Sequence, residues 1–412
     1  MNDSKLGAGV EHSSDLPLAG VTVIDCGQVV SGPMVATLLA DFGADVIKVE
    51  NPSGGDQMRF FGRLKNGRPL HWQLMGRNKR SITLALSNPD GQALFLKLVE
   101  ATKADVVIES FRPGTFERWG LTYDRLRAAN KGVCFVRVSG FGQSGPYRDR
   151  PGFGTLAEAM SGFANAVGPA GGPPTLPPFP LADSVAALYA AYGVMVALYH
   201  RDLHKGGTGQ LLDISLLEPL FSLLGPHMVE FDQLGVVATR NGNRTGSAPR
   251  NTYPTKDNRW IAIAASTQKI AERLFNVMGQ PELIDDPRFS TNPNRVLNVE
   301  ELDRIVAAWV AERTQDEVTD LLMEAEVAVA PILDMADLAE DPQLRHRGAI
   351  ATVDDPDLGP VRMPNVLPAL SATPGSIRRS APRLGEHNWE IYHDVLRLSE
   401  DEIETLKASG TI

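Results

Sequence analysis

Residues 20–50, GVTVIDCGQVVSGPMVATLLADFGADVIKVE, change hydrophobic period twice without a break. VTVID is a short β-branched run, GPMVATLLADFG spaces its apolar residues as a helix does, and ADVIKVE reads as a second buried strand. A strand, a helix and a strand in that order form a βαβ unit, whose two strands run parallel. Similar strands recur at 104–109 (ADVVIE) and 133–138 (VCFVRV), with helical spacing over 90–102 (DGQALFLKLVEAT) ahead of the first. The fold class this predicts is α/β, with a parallel, wound sheet.

At 412 residues the chain exceeds what one hydrophobic core supports, so two structural units are expected. Residues 166–180, AVGPAGGPPTLPPFP, are too rich in proline and glycine for a regular element and form a loop. From 184 to 203 the sequence SVAALYAAYGVMVALYHRDL is a strongly apolar helix, ended by GGTG. Its interior tyrosines and small residues suit a core helix better than a membrane span. Residues 236–258 turn polar, and WIAIAAS then starts a new strand. The expected division is a large domain from 1–228 and 340–412 and a small domain over 229–339. Helices are expected at 267–278 and 300–312, a strand at 327–333, and a last helix at 386–397.

A net charge of −10 argues against nucleic-acid binding, which draws its affinity from clustered Lys and Arg. An anionic ligand then needs a local basic site. Apolar residues at 43% and charged residues at 22% are those of a soluble globular enzyme. Cys26 and Cys134 are too few for a disulfide framework or a CxxC metal site and read as buried small residues. The first fifteen residues, MNDSKLGAGVEHSSD, lack an apolar h-region, so a cytoplasmic location without membrane contact is expected.

Asp183 stands after the proline-rich loop and at the head of the long helix, in PPFPLADSVAALYAAYG. One reading makes it an N-cap, its carboxylate accepting a first-turn N–H. The other makes it a nucleophile, since a helix N-terminus favours an anion and a partly desolvated carboxylate attacks a thioester carbonyl. Local sequence fits both.

Four stretches, in order along nearly the whole chain, resemble the family III (CaiB/BaiF-type) acyl-CoA:carboxylate CoA transferases. They are LAGVTVIDCGQVVSGPMVATLLADFGADVIKVENPSGGD; NKRSITLAL with ESFRPGTFERWGL; LADSVAALYAAYGVMVALYHRDLHKGGTGQLLDISLLE; and APRLGEHNWEIY. The resemblance implies a large Rossmann-like domain with a parallel sheet formed from both chain ends, a smaller α/β domain, and an interlocked homodimer. It implies CoA transfer from an acyl-CoA, succinyl-CoA being one candidate, to a free carboxylic acid. Asp183 then carries the acyl group through aspartyl anhydride and aspartyl-CoA thioester intermediates, with the CoA thioester as substrate and no metal or permanently bound cofactor. Arg112 and Arg118 match positions the family uses for CoA. Phe111 and Leu84, Ala85, Leu86 and Ser87 resemble its adenine-flanking stretches, and Ser139, Gly140 and Phe141 its pantetheine turn.

Two departures limit that carry-over. Asn51 follows Glu50 where some members have a basic residue, and the glycine-only loop of some members is replaced by RNGNRTGSAPRN. Arg244 and Arg250 in that loop are candidates to clamp the second carboxylate of a dicarboxylic acid. A racemase of the α-methylacyl-CoA type shares the aspartate but needs a histidine beside it. Phe153 stands at that place, and no histidine lies between His71 and His200. A dehydrogenase is excluded because the first βα turn, CGQVVSGP, lacks GxGxxG. A non-catalytic acyl-CoA binding protein is the alternative from another class.

Overall fold

The computed structural model describes residues 15–204 and 206–412. All but the last of the fifteen opening positions, and with them the start of the expected large domain, lie outside the described residues. The chain forms two compact units: residues up to Phe163 with Leu176–Leu234 and Arg345–Ile412, and Ala164–Thr175 with Gly235–Leu344.

The first unit is built on six parallel strands: β1 (Thr22–Asp25), β2 (Asp45–Glu50), β3 (Lys79–Thr83), β4 (Val106–Glu109), β5 (Cys134–Ser139) and β6 (Leu211–Ser215). Their order across the sheet is β3-β2-β1-β4-β5-β6. The chain grows one way from β1 and then returns to grow the other way from β4. That is the doubly wound, Rossmann-like order, and it opens a crevice beyond the carboxyl ends of β1 and β4.

Helices α1 (Ser31–Asp41), α2 (Pro89–Ala101), α3 (Gly154–Met160), α4 (Leu181–Leu203), α5 (Leu217–Ser222) and α6 (Gly225–Leu234) belong to the same unit. The strands are apolar on both sides because both faces are covered. Ile24, Ile47, Ile82, Val107 and Phe135 pack with Phe95, Leu98 and Val99 of α2 and with Ile391, Tyr392 and Ile403 from the chain's end. Val23, Val46, Val106, Cys134 and Val136 pack on the other face with Val35, Ala36 and Leu39 of α1 and with α4. Cys26 and Cys134 are free and buried, as expected of small core residues.

Helix α4 is long and apolar enough to cross a membrane. Its face Ala182, Ala186, Ala187, Ala190, Val194, Ala197 and Leu198 is nevertheless buried in this core, where alanines let the helix lie close to the sheet. The opposite face, with Leu188, Tyr189, Tyr192, Met195, Val196 and Tyr199, is exposed.

Two sequence expectations need correction. All six strands of the large sheet lie between Thr22 and Ser215, so the C-terminal segment adds no strand and the sheet is not formed from both ends. The C-terminal segment covers the β3 edge with side chains instead: Asn388 Oδ1 accepts the Thr83 N–H at 2.9 Å and His387 Nδ1 accepts that of Ser81 at 3.2 Å. Capping an edge this way satisfies its donors and closes it to further strands. The last helix is Glu400–Ala408, not 386–397; Ser399 and Glu402 form its capping box. Within the expected span there is a π-helical turn, Glu390–Val395.

In the second unit, β7 (Arg250–Pro254), β8 (Trp260–Ala264) and β9 (Val329–Pro331) form an antiparallel sheet with β8 central. Ile261, Ile263 and Tyr253 pack there with Leu274, Phe275, Val306 and Leu322 from the helices Gln268–Val277, Val299–Ala311 and Gln315–Glu324.

Candidate active site

A cavity of about 790 Å³ lies at the reversal point of the first unit's sheet. Gln28–Ser31 after β1, Ser110–Pro113 after β4, and Val138–Gly140 at the end of β5 line it, as do Arg148, Arg150, Phe153, Gly154, Glu158 and Asp183. A wound sheet binds ligands there because strand ends and the loops that diverge from them leave a gap.

The turn after β1 is held from beneath by a buried set of charges. Lys79 Nζ lies 2.8 Å from Asp25 Oδ2 and donates to the Pro33 carbonyl at 2.7 Å. Lys48 Nζ lies 2.9 Å from Asp56 Oδ2 and also donates to the Gly27 carbonyl. Asp56 Oδ1 accepts the Val29 N–H at 2.9 Å. Val29 has φ of 65°, a left-handed conformation that costs a β-branched residue energy and persists only where its surroundings impose it. Burial opposes ionisation of Asp56, but Lys48 and the two backbone donors hold its carboxyl below the usual range.

Asp183 is half-buried on the cavity wall. The N-cap reading does not hold: Pro180 occupies the cap, Asp183 is the third helical residue, and no side-chain cap bond forms. Its carboxylate lies over Gly154, where an added Cβ would fall 2.0 Å from Oδ2, so only glycine leaves room for it. Burial first, and then the charge of Glu158, raise the Asp183 carboxyl to about 6, against a smaller lowering by its own N–H. The helix N-terminus alone would have pushed it the other way.

Arg112, Phe111, Ser139 and Gly140 line the cavity with Asp183. Gly140 and Gly152 cross with almost no clearance, since a Cβ on either would lie 2.6 Å from the other's Cα. A smaller recess of about 60 Å³ is lined by Leu84, Leu86, Ser87, Phe111, Trp119, Gln28 and Asn51. Ala85, Arg118 and Phe141 line neither. Ala85 N–H donates to Thr411 O, Arg118 donates to Thr115 Oγ1 at 2.8 Å, and the Phe141 ring meets Tyr147 edge-on. Arg244 and Arg250 belong to the second unit, where Arg244 Nε donates to Asp303 Oδ2 at 3.0 Å and Arg250 donates to the Asn243 carbonyl.

Sequence reasoning missed Gln28, Gly154, Glu158, Arg148 and Arg150. The run YRDRPGFGTLAE carried a signal for four of them: two arginines just beyond a strand exit, and a glycine and a glutamate one helical turn apart. The Arg150 guanidinium lies 3.7 Å above the Tyr147 ring, and Glu109, under the turn that bears Arg112, accepts the Phe111 N–H at 2.7 Å.

The model of CoA-transferase family III matches residues 18–388. The succinyl-CoA–D-citramalate CoA-transferase of Chloroflexus aurantiacus is 44% identical over 96% of this chain and 98% of its own length. The succinyl-CoA–L-malate CoA-transferase alpha subunit of the same species is 39% identical over 98% and 94%. Among solved structures, a CaiB/BaiF family protein from Brucella suis is similar with a TM-score of 0.83 and 29% identity, covering 92% of this chain and 100% of that one.

Proposed function

The chain belongs to CoA-transferase family III, and from that membership we propose that it moves CoA from succinyl-CoA to a dicarboxylic acid, with Asp183 carrying the acyl group. One observation carries this reading: a half-buried carboxylate, seated on a glycine, shares the cavity at the sheet's reversal point with three arginines.

The Asp183 carboxylate attacks the thioester carbonyl of the donor, and the tetrahedral adduct collapses to a mixed anhydride and CoA thiolate. The thiolate attacks the aspartyl carbonyl and releases the donor acid, leaving an aspartyl-CoA thioester. A carboxylate of the acceptor attacks that thioester and expels the thiolate again. The thiolate finally opens the second anhydride at the acceptor's carbonyl, which frees Asp183. Each step exchanges one acyl bond for another, so an overall CoA exchange runs near balance.

Arg112 just beyond β4, with Arg118 at the end of the short helix Thr115–Arg118 that follows, is suited to CoA phosphates. The recess by Leu84, Leu86, Ser87 and Phe111 is suited to an adenine edge, and Ser139–Phe141 to the pantetheine arm. The relatives named for citramalate and malate act on hydroxydicarboxylic acids, which speaks for a dicarboxylate here. A second carboxylate needs a cation, for which Arg148 and Arg150 on the cavity wall are candidates. We infer a homodimer, interlocked as in the family.

Asp183→Ala is expected to abolish transfer, with product thioesters from succinyl-CoA and a panel of acids followed by mass. Hydroxylamine added during turnover should label wild-type Asp183 as a hydroxamate. A variant with more than a few per cent of activity would remove the nucleophile assignment, and equal kcat/KM for succinate and butyrate would remove the dicarboxylate.

A further inference from the structure

Helix α3 presents two residues to Asp183, one turn apart. Gly154 gives the carboxylate its seat, and Glu158 lines the same cavity and acts on it by its charge. Glu158 is 3% exposed, and its Oε1 accepts the N–H of Ala182, the residue before Asp183, at 3.2 Å. No cation bonds it. A buried carboxylate without a cationic partner is costly, so its presence beside a second carboxylate calls for a reason.

We propose that Glu158 is a positioning residue for the transfer: it fixes the first turn of α4 through Ala182 and sets its own negative charge against the Asp183 carboxylate. Acylation removes the charge of Asp183, and with it the repulsion from Glu158. The pair thus raises the free carboxylate relative to the anhydride and thioester intermediates. The inference rests on Asp183 as nucleophile.

The other groups around the pair do not offset this. Arg112, Arg148, Arg150 and His71 line the same cavity, and burial and Glu158 still raise the Asp183 carboxyl against a smaller lowering by its own N–H. On α5, packed against α3, Glu218 is engaged by Ser215 Oγ.

Glu158→Gln keeps an oxygen for the Ala182 N–H and removes the charge. The acid limb of kcat/KM for succinyl-CoA should move down by about one pH unit. The rate of anhydride formation on the alkaline plateau should fall roughly threefold, as expected for a nucleophile one unit less basic at a Brønsted slope near 0.5. Glu158→Asp, which retains the charge, should restore the limb toward its wild-type position. A Gln variant whose acid limb does not move, while hydroxylamine still traps Asp183, overturns the role of Glu158 alone. Absence of trapping at wild-type Asp183 overturns the nucleophile and this inference together.

Discussion

Asp183 sits in the first turn of α4, where unpaired N–H groups ordinarily lower a carboxyl, and yet burial and Glu158 raise it to about 6. For an acid raised by folding, the stabilising contribution is full below its unfolded value near 4 and is lost as pH climbs through about 6. Asp183→Asn removes that loss. The variant should be more stable than wild type at pH 8, by about 1 kcal/mol once solvent screening of a half-exposed group is allowed for. The two should converge below pH 4. Urea unfolding at pH 4, 6 and 8 measures this, and a difference that does not vary with pH would contradict the raised carboxyl. Sequence alone left Asp183 between cap and nucleophile, because the choice turns on whether Pro180 or Asp183 begins the helix and on what stands opposite the side chain.

The turn between β1 and α1 shows how an element carries strain for a site. Lys48, inside β2, and Lys79, the first residue of β3, are both buried, and their heads neutralise Asp25 and Asp56. Through Asp56 this set holds Val29 at φ of 65° on the cavity wall. Lys48→Met leaves Asp56 buried without its cation and should cost about 3–5 kcal/mol. The KM for acyl-CoA should also rise, since Gln28–Ser31 would relax. Denaturant unfolding and steady-state kinetics on the same preparation test both parts; a loss below about 1 kcal/mol would mean that water or Lys79 takes over the pairing. Lys48 is legible in KVE only as a lysine in an apolar strand; its partner Asp56 lies beyond the strand, in a loop of no regular period.

At the scale of the molecule, the first unit exposes many large apolar side chains: Leu188, Tyr192, Met195 and Tyr199 on α4, and Phe221, Leu223, Val229 and Leu234 on or near α5 and α6. Exposed apolar side chains on this scale are typical of a surface that a partner covers. Sedimentation should therefore give twice the 44.6 kDa of one chain, and the melting temperature should fall on dilution. Tyr192→Glu should shift the mass toward one chain; a wild-type monomer at micromolar concentration would refute the homodimer. The βαβ units, the apolar span of α4 and the aspartate at its head were readable from the chain before folding, because they rest on hydrophobic period and on residues close in the chain. Family membership was likewise legible, in LADSVAALYAAYG and the stretches around it. Only the tertiary structure decided that β3 is closed by His387 and Asn388 rather than by a further strand. It alone brought Gly154 and Glu158 against Asp183. These partners are separated by tens to hundreds of residues, and no local period encodes a contact made by the winding of the sheet. The ionisation of Asp183 is likewise a property of its buried surroundings, which exist only once the chain has folded around it.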